Sequence, residues 1–508
     1  MIEKKLFLDN SASLLAVLPV VILCVTGMLV LLLDSCLPIW KKNKFLSGGL
    51  AVIGTLVAAI FTLRQLDEIE GRAKYAFQGA LNVDGFTSAV GFILIVVAAL
   101  SIFLGMTYLE NKRLHLGEYY ALILFATSGG MLMAAANELI VLFIALEMLS
   151  VALYVLAGFA RTEAKSEEAA LKYFLLGAFA AGFLLYGIAL IYGGSAGAAI
   201  GGGGTTNLAI LKFSLIAATP TPMLMTGIAL LMVGLAFKAA LVPFHMWTPD
   251  VYEGAPVSVT AFMSAAAKVA AFAAIVRVFS ALVPIAPFWL SAVQFLAVIT
   301  MFGGNLLALQ QQNVKRMLAY SSVAHAGYLM VAIAALASEK AHDDSLRAIL
   351  FYLLSYAMMT IGSFSVLIWV SNRGRNLQTL ADLKGLGKND APAAYLLLLF
   401  LLSLGGIPPM AGFLGKWLIF NAALQAGQSW LAVCLAFASM ISIFYYLKIV
   451  WTMFFQEPDE IAEPDRAVAS SGVVVALAVA AGCTLLFGVA PNLLHVIIDA
   501  AGTVSTLK

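Results

Sequence analysis

The sequence predicts an all-α polytopic membrane protein with about fourteen transmembrane helices. Three observations carry that reading. Of its 508 residues, 62% are hydrophobic and only 11% charged, whereas a soluble globular domain is roughly 45–50% apolar and about 25% charged. A soluble enzyme and a long disordered chain are both excluded. At ~20 residues per span plus a loop, the length accommodates roughly fourteen helices. The apolar segments are also long runs without strand alternation, and backbone groups in lipid need internal partners, so these runs are helices and not barrel strands.

Hydropathy and breaker residues place the spans near 12–33, 46–63, 86–109, 119–136, 138–160, 169–192, 223–244, 257–281, 288–309, 318–337, 346–371, 393–424, 429–455 and 468–489. The first contains the run Leu14–Leu33, too long for a signal-peptide core. Lys4 and Lys5 before it are balanced by Glu3 and Asp9, and no small-residue cleavage site follows. It reads as a retained span. The loop 193–222, rich in Gly, Thr and Pro, reads as a flexible connector, and the acidic loop 456–467 as a solvated one. Nothing reads as a separate soluble domain. A single membrane domain over 1–508 is expected, with five-helix units at 118–281 and 288–455 and flanking helices at 12–109 and 468–489.

Twenty-nine basic against 27 acidic residues give a net charge of +2, which offers nothing to a nucleic acid. Lys and Arg in short loops set orientation. With both termini outside, the inner loops hold Lys41, Lys42, Lys44, Lys112, Arg113, Arg161, Lys165, Lys315, Arg316, Arg373, Arg375, Lys384, Lys388 and Arg466. The outer side holds fewer: Lys4, Lys5, Arg64, Arg72, Lys74, Lys212, Arg277, Lys340, Arg347 and Lys508. Both termini are therefore expected on the periplasmic side.

Five lysines remain inside the spans, Lys172, Lys238, Lys268, Lys416 and Lys448, together with one mid-span acid, Glu147. An ion at the bilayer centre costs ~2.5–3.5 kcal/mol on insertion scales, so such residues face a bundle interior or a wet cavity. Lys172 and Lys448 lie nearer span ends, where snorkelling or a static ion pair is an equal reading. For the others the chemistry is proton handling. Desolvation disfavours an ammonium and a nearby carboxylate restores it. A lysine whose carboxylate partner can be displaced is a switchable proton store.

Two of these lysines sit beside breaks. Lys238 is followed by Ala-Ala-Leu-Val-Pro243, and Lys416 is preceded by Gly405-Gly406-Ile407-Pro408-Pro409. A proline inside a helix removes a backbone bond, and in a membrane such breaks line cavities. The fourth to eighth spans match the ninth to thirteenth by position: the fourth member of each set is broken beside a lysine (Lys238, Lys416), and the fifth carries another (Lys268, Lys448). The second member carries Glu147 in one set and His325 in the other. An odd number of helices per unit makes two consecutive units inverted, with the seventh and twelfth helices broken.

His325, about two turns into its span, is a candidate proton relay, since histidine titrates near neutrality. His245 lies just past Pro243, where interfacial packing is an equal reading. Metal and cofactor motifs are missing from the sequence. Cys24, Cys36, Cys434 and Cys483 are scattered with no C-x-x-C pair, and no second His or carboxylate stands at helical spacing from His325. Gly201–Gly204 lacks the strand–helix context of a dinucleotide site, and Gly412-Phe-Leu-Gly-Lys416-Trp lacks the Ser/Thr and spacing of a P-loop.

Three long runs resemble the antiporter-like membrane subunits of respiratory complex I and of the multisubunit sodium/proton antiporters. The first is Leu235-Ala-Phe-Lys238-Ala-Ala-Leu-Val-Pro243-Phe-His-Met-Trp-Thr-Pro-Asp250-Val-Tyr-Glu-Gly-Ala-Pro256, continuing to Ala265-Ala-Ala-Lys268-Val. The others are Asn313-Val-Lys-Arg-Met-Leu-Ala-Tyr-Ser-Ser-Val-Ala-His325 and Gly405-Gly-Ile-Pro-Pro-Met-Ala-Gly-Phe-Leu-Gly-Lys416. Pro-Asp-Val-Tyr-x-Gly-Ala-Pro resembles the N-type branch, and fourteen spans rather than eleven resemble its bacterial or plastid form. The resemblance implies proton translocation within NADH:quinone oxidoreductase, with NADH, FMN, iron–sulfur clusters and quinone in partner subunits and no cofactor here. It implies other complex I membrane subunits and the bilayer as direct partners, and the peripheral redox arm as an indirect one. By motif, Glu147 and Lys238 would be the glutamate–lysine pair of the first unit, Lys268 the connecting lysine, and Lys416 the terminal lysine of the second. Lys172 matches a position that modulates the pair, and Lys448 carries over weakly. A sodium/proton antiporter subunit without redox activity is the alternative.

Overall fold

Local sequence decides where the helices start and stop. Side-chain oxygens of Asp9, Thr221, Asn313 and Ser470 accept backbone N–H bonds from Ala12, Leu224, Arg316 and Val473, which satisfies donors that a helix start leaves open. Pro222 and Pro392 stand in the first turn of their helices, where no N–H is needed. The computed structural model describes residues 9–37, 45–68, 74–111, 116–196, 203–217, 219–371, 379–457, 469–494 and 499.

The chain opens with α1 (Asn10–Ala16), α2 (Leu18–Cys36) and α3 (Phe45–Glu68), then a hairpin of β1 (Lys74–Ala76) and β2 (Leu81–Val83). The strands pair antiparallel, with Lys74 opposite Val83 and Ala76 opposite Leu81. Next come α4 (Gly85–Asn111), α5 (Gly117–Ala135), α6 (Leu139–Ala157), α7 (Ala164–Gly194), α8 (Leu208–Ala217), α9 (Pro222–Ala239), α10 (Trp247–Gly254) and α11 (Val257–Ala281). The second half holds α12 (Ala286–Leu309), α13 (Val314–Ala335), α14 (His342–Ser371), α15 (Leu386–Asn389), α16 (Ala391–Gly405), α17 (Ala411–Gln425), α18 (Ser429–Phe455) and α19 (Ser471–Val489).

Twelve of the described helices are long and apolar enough to cross a membrane. The other two expected spans are helical but different. Helix α5 carries Glu118 and the stretch Thr127-Ser-Gly-Gly130, and the expected 393–424 span is two 15-residue helices, α16 and α17. Two expectations need correction. The loop 193–222 is not wholly irregular: it contains α8, because Leu208, Leu211 and Leu215 repeat at helical spacing and bury one face. The β-hairpin at 74–83 was not foreseen, since two three-residue strands are too short to show alternation. Gly201 and Gly202, most of the acidic loop, and Lys4, Lys5, Lys41, Lys42, Lys44, Arg72, Lys112, Arg113, Arg373, Arg375, Arg466 and Lys508 lie outside the described residues.

Helices α11, α13 and α14 are buried along almost their whole length, and the others pack around them. Helices α2, α3, α7 and α18 keep large apolar side chains on the outside, such as Ile53, Phe179 and Phe444. A polar side chain on α11, α13 or α14 must therefore find its partner inside the protein.

Several helix pairs approach backbone to backbone, among them α5–α6, α7–α9 and α12–α13. A Cβ at Gly129 would stand 2.7 Å from Leu149 N and 2.8 Å from Ala145 O. One at Gly304 would stand 2.5 Å from Ala324 N and 3.0 Å from Tyr320 O. One and the same sequence offset carries Gly129 to Gly304, Ala145 to Tyr320 and Leu149 to Ala324. It also carries Ser150 to His325, and Glu147 to Ser322.

Candidate functional site

Both breaks lie beside their lysines. Helix α9 ends at Ala239, Ala240 turns left-handed (φ 60°), and residues 240–246 are not α-helical before α10 begins. Helix α16 ends at Gly405, Gly406 takes φ 84°, and α17 starts at Ala411. Carbonyls at a helix end have no intrahelical donor, and the helix dipole favours a cation there. Each broken helix supplies one: Lys238 in the last turn of α9, and Lys416 in α17, reaching back to the end of α16.

Lys416 is buried and donates to the carbonyls of Leu404 and Gly405, each at 3.0 Å, and to Ser439 Oγ at 2.9 Å. Its Nζ lies 5.0 Å from the centre of the Tyr328 ring. Lys238, equally buried, donates to Ser150 Oγ at 2.8 Å and more weakly to Tyr173 Oη at 3.4 Å. Tyr173 is held by stacking on Trp247, with centroids 4.4 Å apart, and Trp247 donates to Phe237 O across the break. A small cavity beside Lys238 and Ser150 has ≈ 10 Å³ of space for a water's centre, room for about one water.

The expected glutamate–lysine contact is not formed. Glu147 is half-buried one turn before Ser150, and its Oε1 is enclosed with no hydrogen-bond partner among the described residues. The Ser150 hydroxyl, which donates to Leu146 O at 2.6 Å, takes the lysine instead. Glu147 and Lys238 thus flank one serine from neighbouring helices.

Lys268 is buried at the middle of α11; it donates to the Ser322 carbonyl and lies 5.7 Å from the centre of the Tyr356 ring. His325, on α13, is buried among tyrosines. Its Nδ1 is 2.6 Å from Tyr352 Oη and its Nε2 3.2 Å from Tyr446 Oη. His245 stands apart at the first break, its ring 6.2 Å from that of Tyr320.

Lys172 and Lys448 are elsewhere. Lys172 is partly exposed on α7, paired with Glu168 at 2.7 Å and Asp250 at 2.8 Å. Arg316 of α13 reaches Asp250 at 2.7 Å and Glu253 at 3.0 Å, and Lys165 reaches Glu253 at 2.9 Å. These six side chains line a polar cavity of about 200 Å³. Burial works against the charge on Asp250, but the bonds from Lys172 and Arg316 outweigh it and hold the carboxyl below the usual range. Glu253 is held low in the same way, by Lys165 and Arg316. Lys448 is half-buried and, among the described residues, reaches only Gln311 O, at 3.4 Å.

Sequence reasoning missed several polar groups. Arg277, counted as an outer residue, is buried: it grips Asp84 through two 2.6 Å bonds and also donates to Thr87 Oγ1 and Ala134 O, each at 2.7 Å. Lys315, counted as an inner loop residue, is buried in α13 and donates to Ala255 O at 3.0 Å. Ser150 and the tyrosines around His325 carried no signal, because tyrosine and serine are ordinary in apolar helices. No group of three or more His, Cys, Asp or Glu suited to a metal occurs among the described residues.

The transmembrane family model of NADH:quinone oxidoreductase and Mrp antiporters matches residues 136–442. An NADH-quinone oxidoreductase subunit N from Trichlorobacter lovleyi is 41% identical over 490 residues, 96% of each chain. A chain in the structure of respiratory complex I from Thermus thermophilus is 35% identical, with a TM-score of 0.76 over 94% of this chain and 98% of that one. A chain of the Mrp complex from Dietzia, 22% identical, shares the fold with a TM-score of 0.78 over 97% of both chains.

Proposed function

Because this chain belongs to the membrane family shared by NADH:quinone oxidoreductase and Mrp antiporters, we propose that it translocates protons as an antiporter-like membrane subunit of complex I. Relatives 41% identical over nearly the full length are subunits N of NADH-quinone oxidoreductase, while the Mrp chain, at 22% identity, supports the fold alone. The electron transfer belongs to partner subunits, which would hold NADH, FMN, iron–sulfur clusters and quinone. Both termini are assigned to the periplasmic side of a bacterial inner membrane.

One observation supports this most strongly. Three lysines, Lys238, Lys268 and Lys416, are buried deep in the chain and, among the described residues, hydrogen-bond to neutral oxygens alone: Ser150, Tyr173, Ser439 and backbone carbonyls. A static structural ammonium would be matched by a carboxylate, since an uncompensated buried charge is costly. Holding by neutral acceptors leaves each lysine free to exist with or without its proton. Lys238 is the store of the first unit, with Glu147 as the anion that alternates with Ser150 for its ammonium. Lys268 connects the units, His325 relays, and Lys416 is the store of the second. Lys172, tied to Asp250 at the edge of the first break, adjusts that unit from outside.

Glu147→Gln, Lys238→Ala and Lys238→Arg test the reading, with assembly, quinone reduction and proton pumping measured in membranes. All three are expected to assemble and to pump poorly. Arginine fails because a guanidinium does not deprotonate in proteins. Normal pumping by Glu147→Gln and Lys238→Ala in the intact complex would remove the pair from the mechanism.

A further inference from the structure

The surroundings of His325 go beyond those of a lone relay. A neutral imidazole has one donor and one acceptor nitrogen, and here each faces a phenol: Tyr352 of α14 at Nδ1, Tyr446 of α18 at Nε2. Tyr446 Oη in turn shares a hydrogen bond with Ser321 Oγ, back on α13. Four groups on three helices form one unbroken hydrogen-bonded chain, every member of it buried. No acidic side chain bonds to any of them among the described residues.

Both ends of this chain lie beside residues next to, or bonded by, the two lysines. The Tyr352 ring packs on Gly415, the neighbour of Lys416, where an added Cβ would be 2.8 Å from its Cδ2. Ser321 precedes Ser322, whose carbonyl takes the Lys268 ammonium. Two further rings tie the same groups together. Tyr356 lies 5.1 Å from the His325 ring and beneath Lys268, and Tyr328 lies 5.4 Å from His325 and beneath Lys416.

We propose that Tyr352, Tyr446 and Ser321 are proton-relay residues that, with His325, form a hydroxyl–imidazole wire between Lys268 and Lys416. The proposal rests on the translocation reading above. The transfer balances at each atom. A proton given by Tyr352 Oη to Nδ1 is matched by one leaving Nε2 for Tyr446 Oη, which passes its own proton to Ser321 Oγ. Tyr352 is refilled from the Lys416 side and Ser321 empties toward Lys268; the reverse direction uses the same steps. The imidazole changes tautomer and the wire gains no net charge. The first unit has no counterpart, because the glycine register puts Ser150 where His325 stands.

Tyr352→Phe and Tyr446→Phe keep the rings and delete only the hydroxyls. NADH-driven pumping is measured in native membranes in H₂O and D₂O, with assembly and electron transfer to an artificial acceptor as controls. Each variant is expected to assemble, to keep artificial-acceptor activity, and to lose pumping by about tenfold, modest beside the usual worth of a positioned proton donor. A wire in series further requires the double variant to be no worse than the poorer single one. The solvent isotope effect on the residual pumping should differ from the parent's, which a purely structural tyrosine would not change. Normal pumping in both Phe variants, with His325→Ala inactive, would overturn the wire and leave the translocation reading standing. Normal pumping in His325→Ala as well would overturn the role of the second-unit histidine and the wire with it. If Tyr446→Phe fails to assemble, 3-fluorotyrosine at 446 keeps the ring and its bond; an unchanged rate and isotope effect would then refute the proposal.

Discussion

Arg277→Met removes a guanidinium that makes four hydrogen bonds and takes its counter-charge from the Asp84 carboxylate, which has no solvent exposure. Removing one partner of a buried pair costs ~3–5 kcal/mol. Thr87 still donates to Asp84 through its N–H at 2.9 Å and its hydroxyl at 2.8 Å, so the lower end of that range applies. A loss of ~3 kcal/mol is about a hundredfold in the folded-to-unfolded ratio. Replacing both charged partners is often close to neutral, so Asp84→Asn with Arg277→Met should recover most of it. The double-mutant cycle is read from the midpoint of SDS-induced unfolding of the detergent-purified complex and from the chain retained in membranes. Burial opposes the charge on Asp84, but Arg277 and Thr87 hold its carboxyl below the ordinary 3.8. The stability from this ionisation is therefore present above pH 3.8 and is lost as pH falls through the lower folded value. Parent and Arg277→Met should differ fully at neutral pH and converge in acid. If Arg277→Met alone is as stable as the double variant, the pair is not a clamp and the reasoning fails. The pair matters to the site because Arg277 lies nine residues beyond Lys268 on α11, about 13 Å along the axis.

Two further outcomes concern the second break and the orientation. Gly406→Leu puts a side chain at φ 84° with its Cβ 3.0 Å from Lys416 Cδ, a conformation costing roughly 1–2 kcal/mol for a non-glycine residue; combined with Pro408→Ala it should impair pumping more than assembly, and a variant that pumps normally would make the break a packing kink. Lys388→Cys should be shielded from impermeant thiol reagents in intact cells while Gly203→Cys is labelled, and the opposite pattern would invert the topology.

Sequence alone made the helices and the special lysines legible because both depend on one variable, the cost of polar groups in lipid. Lys238, Lys268 and Lys416 stood out against apolar runs and are all buried. Pro243 and Pro408 marked both breaks. What sequence could not provide was which group meets which. Arg277 looked like an outer charge because its partner, Asp84, lies 193 residues away. Glu147 and Lys238 looked like a contact pair, but a serine invisible to hydropathy occupies the contact. The tyrosines around His325 became conspicuous only when α13, α14 and α18 brought their hydroxyls onto one ring.

The glycine contacts between α5 and α6 and between α12 and α13 have a mechanical consequence. Where backbone touches backbone, no layer of side chains remains to shear or compress, so each pair behaves as a stiff rail. The chain departs from α-helix inside the bundle at residues 241–246 and 407–410. One of these departures lies beside Lys238 and the other beside Lys416, so next to each stiff pair stands a lysine whose adjoining backbone is not locked into a helical ladder.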